Sequence, residues 1–257
     1  MIKHTILALI ICSISVSVVS AQDNKPTKIL NPSQLPDLPP AKKGDLICRC
    51  ITTFLPNKTD IFYLKIDKKF HQILLDGESI SMPMPVRGTT TFTLYAEAVS
   101  EEDKVSYVPV VTQPLKGAGN DHLIILSRPN KKTAIKSKSY NISTSNYPVD
   151  SIHLFNETPA PLGLQVNSSK ATVKPHQTHT YTYRNAGRDT YTSAKVLMAY
   201  KGEPKMMSSK RLRLIPGRRT IMVCFPSKKR LKLGATGLGV ITIRDMPNLS
   251  TSADNDQ

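Results

Sequence analysis

The chain has no tryptophan, and aromatic residues make up only 6% of its 257 positions. That scarcity weakens any reading of it as a platform on which sugar rings stack, since large flat side chains supply that surface. Beyond the N-terminal segment no apolar run approaches the roughly 20 residues a spanning helix needs, which excludes a bundle of membrane helices. No long stretch repeats its apolar residues at helical spacing either. Acid is also in short supply, with 35 Lys and Arg against 19 Asp and Glu. Cysteine occurs four times. What is present is a 39% apolar content, sufficient to bury a core and to exclude wholesale disorder.

The first residues read as an export signal. Lys3 precedes an apolar stretch over residues 6–19, and Val19-Ser20-Ala21 places small residues before a cut at Gln22, the three parts of a secretory signal peptide. A lipid-attachment box at Leu9-Ile10-Ile11-Cys12 fails, because Ile11 stands where a small residue belongs and Cys12 comes too early. The expected location is therefore periplasmic, cell-surface or secreted, with no transmembrane segment after cleavage. The mature chain keeps Cys48, Cys50 and Cys224. In a strand, Cys48 and Cys50 share one face, and no second Cys pair completes a zinc site. All three are read as small buried hydrophobes. A bridge from either to Cys224 would require contact between two modules, and none is expected.

Residues 22–44 carry Pro26, Pro32, Pro36, Pro39 and Pro40 among polar residues, the composition of an extended, disordered leader. From 45 onward short β-rich runs are broken by turn residues, at 61–66, 90–97, 107–112, 122–127, 151–155, 178–183, 194–200, 211–215, 220–225 and 240–244. Alternation such as Thr178-His179-Thr180-Tyr181 and Arg211-Leu212-Arg213-Leu214 predicts strands with one wet face, hence an antiparallel sandwich or barrel. The expectation is all-β: two tandem antiparallel Ig-like β-sandwich modules at 45–130 and 150–247, a linker at 131–149 and a disordered tail at 248–257. The modules look like copies. Asn57-Lys58-Thr59 matches Asn156-Glu157-Thr158, Leu64-Lys65-Ile66-Asp67 matches Leu164-Gln165-Val166-Asn167, and Leu115 matches Leu214, at offsets drifting near one hundred.

Each copy thus has a strand ending in Asn-x-Thr, a strand ending in an Asp/Asn turn and an extended strand pair. The second adds a Leu-Ile-Pro-Gly-Arg-Arg-Thr-Ile-Met-Val turn from Leu214 to Val223 and a closing Ile-Thr-Ile-Arg-Asp from Ile241 to Asp245. In these features the chain resembles duplicated, secreted bacterial β-sandwich proteins of uncharacterised function. The resemblance implies a fold and a location, and carries no catalytic residues. The first copy departs from it, with Gly117-Ala118-Gly119-Asn120 in place of Pro216-Gly217-Arg218-Arg219.

Charge is the sharpest functional signal. Residues 45–130 hold nine Lys and Arg against ten Asp and Glu, whereas 150–247 hold seventeen against five. Residues 205–232 contain ten cations and no acid. Lys210, Arg211, Arg213, Arg218, Arg219, Lys228, Lys229 and Arg230 form the expected patch, docking an anionic envelope polymer or an acidic protein. A Lys-rich surface that only maintains solubility is the bland alternative. No nucleic-acid module is recognisable, and Tyr181 and Tyr183 alternate as core residues, while Tyr191 stands near Arg184 and Arg188.

Enzyme signatures fail on geometry. His176 and His179 are three apart at a turn entering a strand, where they face opposite sides, and no cofactor or metal is expected. Gly234-Ala235-Thr236-Gly237-Leu238-Gly239 precedes a strand and opens no helix, so it reads as a hairpin loop and not a phosphate cradle. No G-x-S-x-G is present, and Glu101-Glu102-Asp103 reads as a solvated turn. The expected function is an exported, non-catalytic binding or structural module. The alternatives are an assembly subunit adding strands to its neighbours and an enzyme whose site is assembled from distant residues. Oligomeric state has no signature in the chain.

Overall fold

The computed structural model describes residues 38–54, 59–77, 79–100, 104–128, 133–183, 189–200, 203–227 and 237–247. The segments expected as a signal peptide and a tail, and most of the one expected as a leader, lie outside the described residues. Among the described residues every element is a strand, and no helix is long and apolar enough to cross a membrane. The first half contains β1 (Leu46–Thr52), β2 (Thr59–Ile66), β3 (Lys69–Asp76), β4 (Met84–Val86), β5 (Thr91–Val99), β6 (Val105–Pro114), β7 (Asp121–Ser127) and β8 (Lys136–Asn141). The second contains β9 (Ser151–Asn156), β10 (Leu162–Val166), β11 (Ser169–Val173), β12 (Thr178–Thr182), β13 (Thr190–Tyr200), β14 (Glu203–Leu214), β15 (Arg219–Ser227) and β16 (Gly237–Asp245).

These strands form four sheets of four: β4-β1-β7-β8 and β3-β2-β5-β6, then β12-β9-β15-β16 and β11-β10-β13-β14. Adding eight to each strand number of the first pair gives the second. The register irregularity where β5 meets β6, between Leu94 and Tyr95, recurs where β13 meets β14, between Val196 and Leu197. The pairing is antiparallel-rich, but β1 runs parallel to β7 and β9 parallel to β15, so the sheets are not purely antiparallel as the alternation suggested.

Alternation places the cores. In β2, Phe62, Leu64 and Ile66 are buried while Lys65 is exposed, and the two-residue turn that follows puts Asp67 and Lys68 at φ of 49° and 68°, the left-handed geometry that matches strand twist in a tight hairpin. Asn167 enters the corresponding β10–β11 turn at φ of 52°. Cys48, Cys50, Phe62, Phe92, Leu94 and Leu126 fill one core between the first two sheets, and Ile152, Leu154, Leu164, Val196, Met222 and Cys224 fill another between the second two. A third core lies between the halves. Ile51, Leu123, Ile125 and Ile142 from one side meet Phe155, Ile221, Val223, Ile241 and Ile243 from the other. The order of layers is therefore outer sheet, inner sheet, inner sheet, outer sheet. The runs Leu123-Ile124-Ile125-Leu126 and Ile221-Met222-Val223-Cys224 are buried throughout, because a strand covered on both faces has no reason to alternate. Each large side chain in the third core contributes about 1.5–3 kcal/mol by leaving water, so the halves cohere.

The stretch expected as a linker contains a strand. β8 pairs with β7 from His122↔Asn141 to Ser127↔Lys136, and Ile142 after it is fully buried. The first unit thus extends to residue 141, and the polar Lys-Ser-Lys-Ser pattern of an edge strand concealed it. The end of the leader is also ordered. Leu38 packs on the first core and the Pro40 carbonyl accepts a hydrogen bond from Arg87.

Cys48 and Cys50 do share a face, both in the first core, while Cys224 lies in the second with the third core intervening. All three are free and buried. Burial pushes all three thiols up, Cys224 to about 12, so they remain protonated and unreactive at neutral pH. The Asn-x-Thr signal has a local cause. Asn156 is fully buried; its amide donates to the carbonyls of Ala160, Val173 and Lys174, and its Oδ1 accepts from the Thr158 N–H and hydroxyl. Asn57 lies outside the described residues. Beside the parallel strand, the place of Asn156 is taken in the first half by Thr52.

Candidate anion-binding face

β14 is an edge strand, and its alternation turns Leu212 and Leu214 into the core and Arg211 and Arg213 out to solvent. On the neighbouring β13, Thr192, Ala194 and Val196 are buried, while Tyr191, Ser193 and Lys195 face outward. Register then sets Arg213 opposite Tyr191, Arg211 opposite Ser193 and Lys195 opposite Ser209. Two strands further, Lys170 of β11 stands opposite Gln165 of β10, itself opposite Lys195. Strands are spaced by about 4.8 Å and outward residues along a strand by about 7 Å, so Lys170, Lys195, Arg211 and Arg213 fall within about 20 Å on one face.

Two contacts hold the arginines. The Arg211 guanidinium lies 4.6 Å from the Tyr191 ring centroid, an arrangement worth about 0.5–1 kcal/mol at an exposed site. Tyr191 itself is 59% exposed. Arg213 Nε donates to Asp189 Oδ2 at 2.7 Å, and that carboxylate raises the Arg213 pKa. Asp189 is the one carboxylate paired with this cation cluster among the described residues.

The expected patch is brought together only in part. Arg211 and Arg213 share the face. Lys210 is exposed but lies on the other side of β14, opposite Ala194. Arg218 is exposed on the turn before β15. Lys228, Lys229 and Arg230 lie outside the described residues, as do Arg184 and Arg188. Arg219 does not belong to the patch. It is 1% exposed, the largest fully buried side chain among the described residues. Its Nε donates to Asp245 Oδ2 at 2.6 Å, and its remaining nitrogens reach Asp121 Oδ2 at 3.4 Å and the carbonyls of Ile142 and Tyr147. Arg49 of β1 pairs with the same two carboxylates. The four groups close a neutral ring between the inner sheets, two from β1 and β7 and two from β15 and β16. Lys138 and Tyr140 on β8 add a second polar tie, both donating to Glu157.

No family model matches the chain, and no curated protein matches it.

Ser151 Oγ lies 2.5 Å from His153 Nε2, but both residues are fully buried. The Ser151 hydroxyl donates to the Pro148 carbonyl at 2.5 Å, and His153 Nε2 also faces that carbonyl at 3.1 Å. A nitrogen against a carbonyl carries its proton, so this imidazole cannot take one from the serine. Burial draws His153 down to about 4, with the Arg219 charge a lesser contribution. His176 sits at a turn at φ of 58°, its ring 3.9 Å from Glu157, while His179 lies on β12 opposite Leu154. Among the described residues no three His, Cys, Asp or Glu converge as a metal ion requires. Tyr181 and Tyr183 pack on the second core, as their alternation indicated. Of the glycine-rich segment, Gly234, Ala235 and Thr236 lie outside the described residues; Gly237 and Gly239 open β16, antiparallel to β15, and a Cβ on Gly239 would lie 2.4 Å from the Phe225 ring, so close packing is the reason for that glycine. The contributions of Lys170 and Lys195 escaped the sequence because only cross-strand register places them beside Arg211.

Proposed function

We propose that the chain is an exported, non-catalytic binding protein of two tandem Ig-like sandwich modules that arose by duplication. Its basic second half docks an anionic envelope polymer or acidic protein surface through the outer face of the β11-β10-β13-β14 sheet. The repeated strand order supports the duplication. The docking reading rests on one observation: four outward cations and an exposed tyrosine occupy a single face, with one carboxylate among them. Such contacts are screened over about 8 Å at physiological ionic strength, so binding should weaken steeply with salt.

The test uses the whole chain, since separating the halves would expose the third core. Full-length protein should be retained on heparin at low salt and released as salt rises. Replacing Lys170, Lys195, Arg211 and Arg213 with Gln, and leaving Arg219 intact, should cost between about fourfold and several hundredfold in affinity, from about 0.2–1 kcal/mol per exposed pair. The melting temperature should stay unchanged. Equal retention of the variant and the parent, or no retention of either, would sink the proposal. One observation favours assembly instead: β14 is a twelve-residue edge strand. Self-association indifferent to salt would support that reading.

A further inference from the structure

The two halves share a strand order but differ at one junction. In the second, β10 pairs with β13 over five positions, from Leu162↔Met198 to Val166↔Ala194. In the first, β2 pairs with β5 only at Tyr63↔Tyr95 and Leu64↔Leu94, although β2 continues to Ile66 and β5 begins at Thr91. Side-chain volume accounts for the difference. Where Val166 meets Ala194, the first half has buried Ile66 and Phe92, and the larger pair holds the strands apart, because a close-packed core has no spare volume.

The adjoining turn follows the same division. Asn167 is tied to β13, its N–H donating to the Ser193 carbonyl at 3.2 Å and its Oδ1 accepting from Thr192 at 2.8 Å. Asp67, in the same position, pairs instead with Arg87, which also donates to Asp45 at 2.9 Å. The turn is thereby anchored to the β4–β5 loop, away from β5, and a cleft of about 400 Å³ opens between them.

The chemistry of that cleft is mixed in a specific way. Lys65, Lys68 and Arg87 bring three cations, and Arg87 is already paired with both Asp45 and Asp67, which leaves the five groups a net charge of +1. Neither Lys65 nor Lys68 is in an ion pair with the described residues. Thr91 and Thr93 contribute hydroxyls, and the strand edges beside them leave the ladder short of partners. Tyr95 forms one wall, its ring held edge-on by Phe70 at 5.0 Å. Phe70 in turn stacks on Tyr107 at 4.2 Å, which fixes the aromatic wall. A complementary ligand has one negative charge, several hydroxyls and a flat apolar face. An acidic sugar residue has all three, whereas a bare anion uses only the lysines.

We propose that this cleft binds the acidic sugar residues of a polyanionic glycan. The carboxylate would meet Lys65 and Lys68, the hydroxyls Thr91 and Thr93, and the ring face Tyr95. The inference rests on the reading of the protein as a binder of anionic polymers, and gives that polymer a chemical class.

The test is an amide NMR titration of the full chain with the galacturonic acid trimer, its neutral galactose counterpart, a triglutamate peptide and inorganic sulfate. The acidic trisaccharide should shift the amides of Thr91 and Thr93, and the other three should not do so at matched concentration. Lys65→Gln with Lys68→Gln, both at exposed positions, should weaken the acidic trisaccharide at least tenfold. Absence of shifts in the cleft, an equal response to triglutamate or to sulfate, or undiminished affinity in the double lysine variant would each overturn the inference. If the trisaccharide fails while heparin is still released by the sheet-face variant, the docking reading survives and only the cleft is wrong.

Discussion

Replacing Arg219 with Ala is expected to destabilise the protein by about 3–5 kcal/mol, the cost of removing one partner from a buried ion pair. The cause is what remains behind. Asp245 and Asp121 would be left with Arg49 alone, and the Ile142 and Tyr147 carbonyls would lose their donor. A group buried without its partner bears its full desolvation cost. Arg211→Ala, by contrast, removes a solvent-exposed side chain and should change stability by no more than about 0.5 kcal/mol beyond its contact with Tyr191. Urea denaturation of both variants separates these cases, since the midpoint reports stability when the slope is constant. Equal, small effects would show that Arg219 is an ordinary member of the basic surface.

Mild acid should weaken the fold through His153. In the unfolded chain its imidazole titrates at the ordinary value of 6.5, whereas in the native protein burial draws it to about 4. Above pH 6.5 neither state is protonated and the stability is fully present. Between pH 6.5 and about 4 the unfolded chain binds a proton that the folded chain refuses, so stability falls as pH falls. The slope approaches about 1.4 kcal/mol per pH unit, or about 3 kcal/mol across the window. His122 is lowered by burial as well and acts in the same direction. Unfolding free energy measured from pH 7 to 4 should therefore be shallower in slope for His153→Gln than for the parent, whatever the variant does to stability at pH 7. Parallel curves would exclude His153 as the source.

The fold was legible where strands have one wet face. Arg211-Leu212-Arg213-Leu214 announces both its conformation and which pair of side chains reaches solvent, and the Asp67 and Asn167 turns mark the ends of their strands. The rest was hidden for identifiable reasons. β1 lacks alternation because a second sandwich covers its outer face, and β8 is a polar edge strand whose apolar contributions come from Tyr140 and Ile142. Arg218 and Arg219 look equivalent as a dipeptide, yet Arg219 shares its side of β15 with Ile221 and Val223 and enters the third core. The partners that neutralise it, Asp121 and Asp245, lie 98 and 26 residues away, and local pattern carries no information about such pairings. Net charge therefore shows which half carries the excess of cations but not which of them reach solvent.

Hydrogen–deuterium exchange of the full chain, with and without a heparin oligosaccharide at low salt, tests the docking account most directly. The account predicts slowed exchange in residues 190–196 and 208–214, lost again as salt is raised. Residues 121–127 and 219–225, in the strands buried between the halves, should exchange equally with and without ligand. Unchanged exchange at 190–196 and 208–214, or protection confined to another face of the molecule, would contradict it.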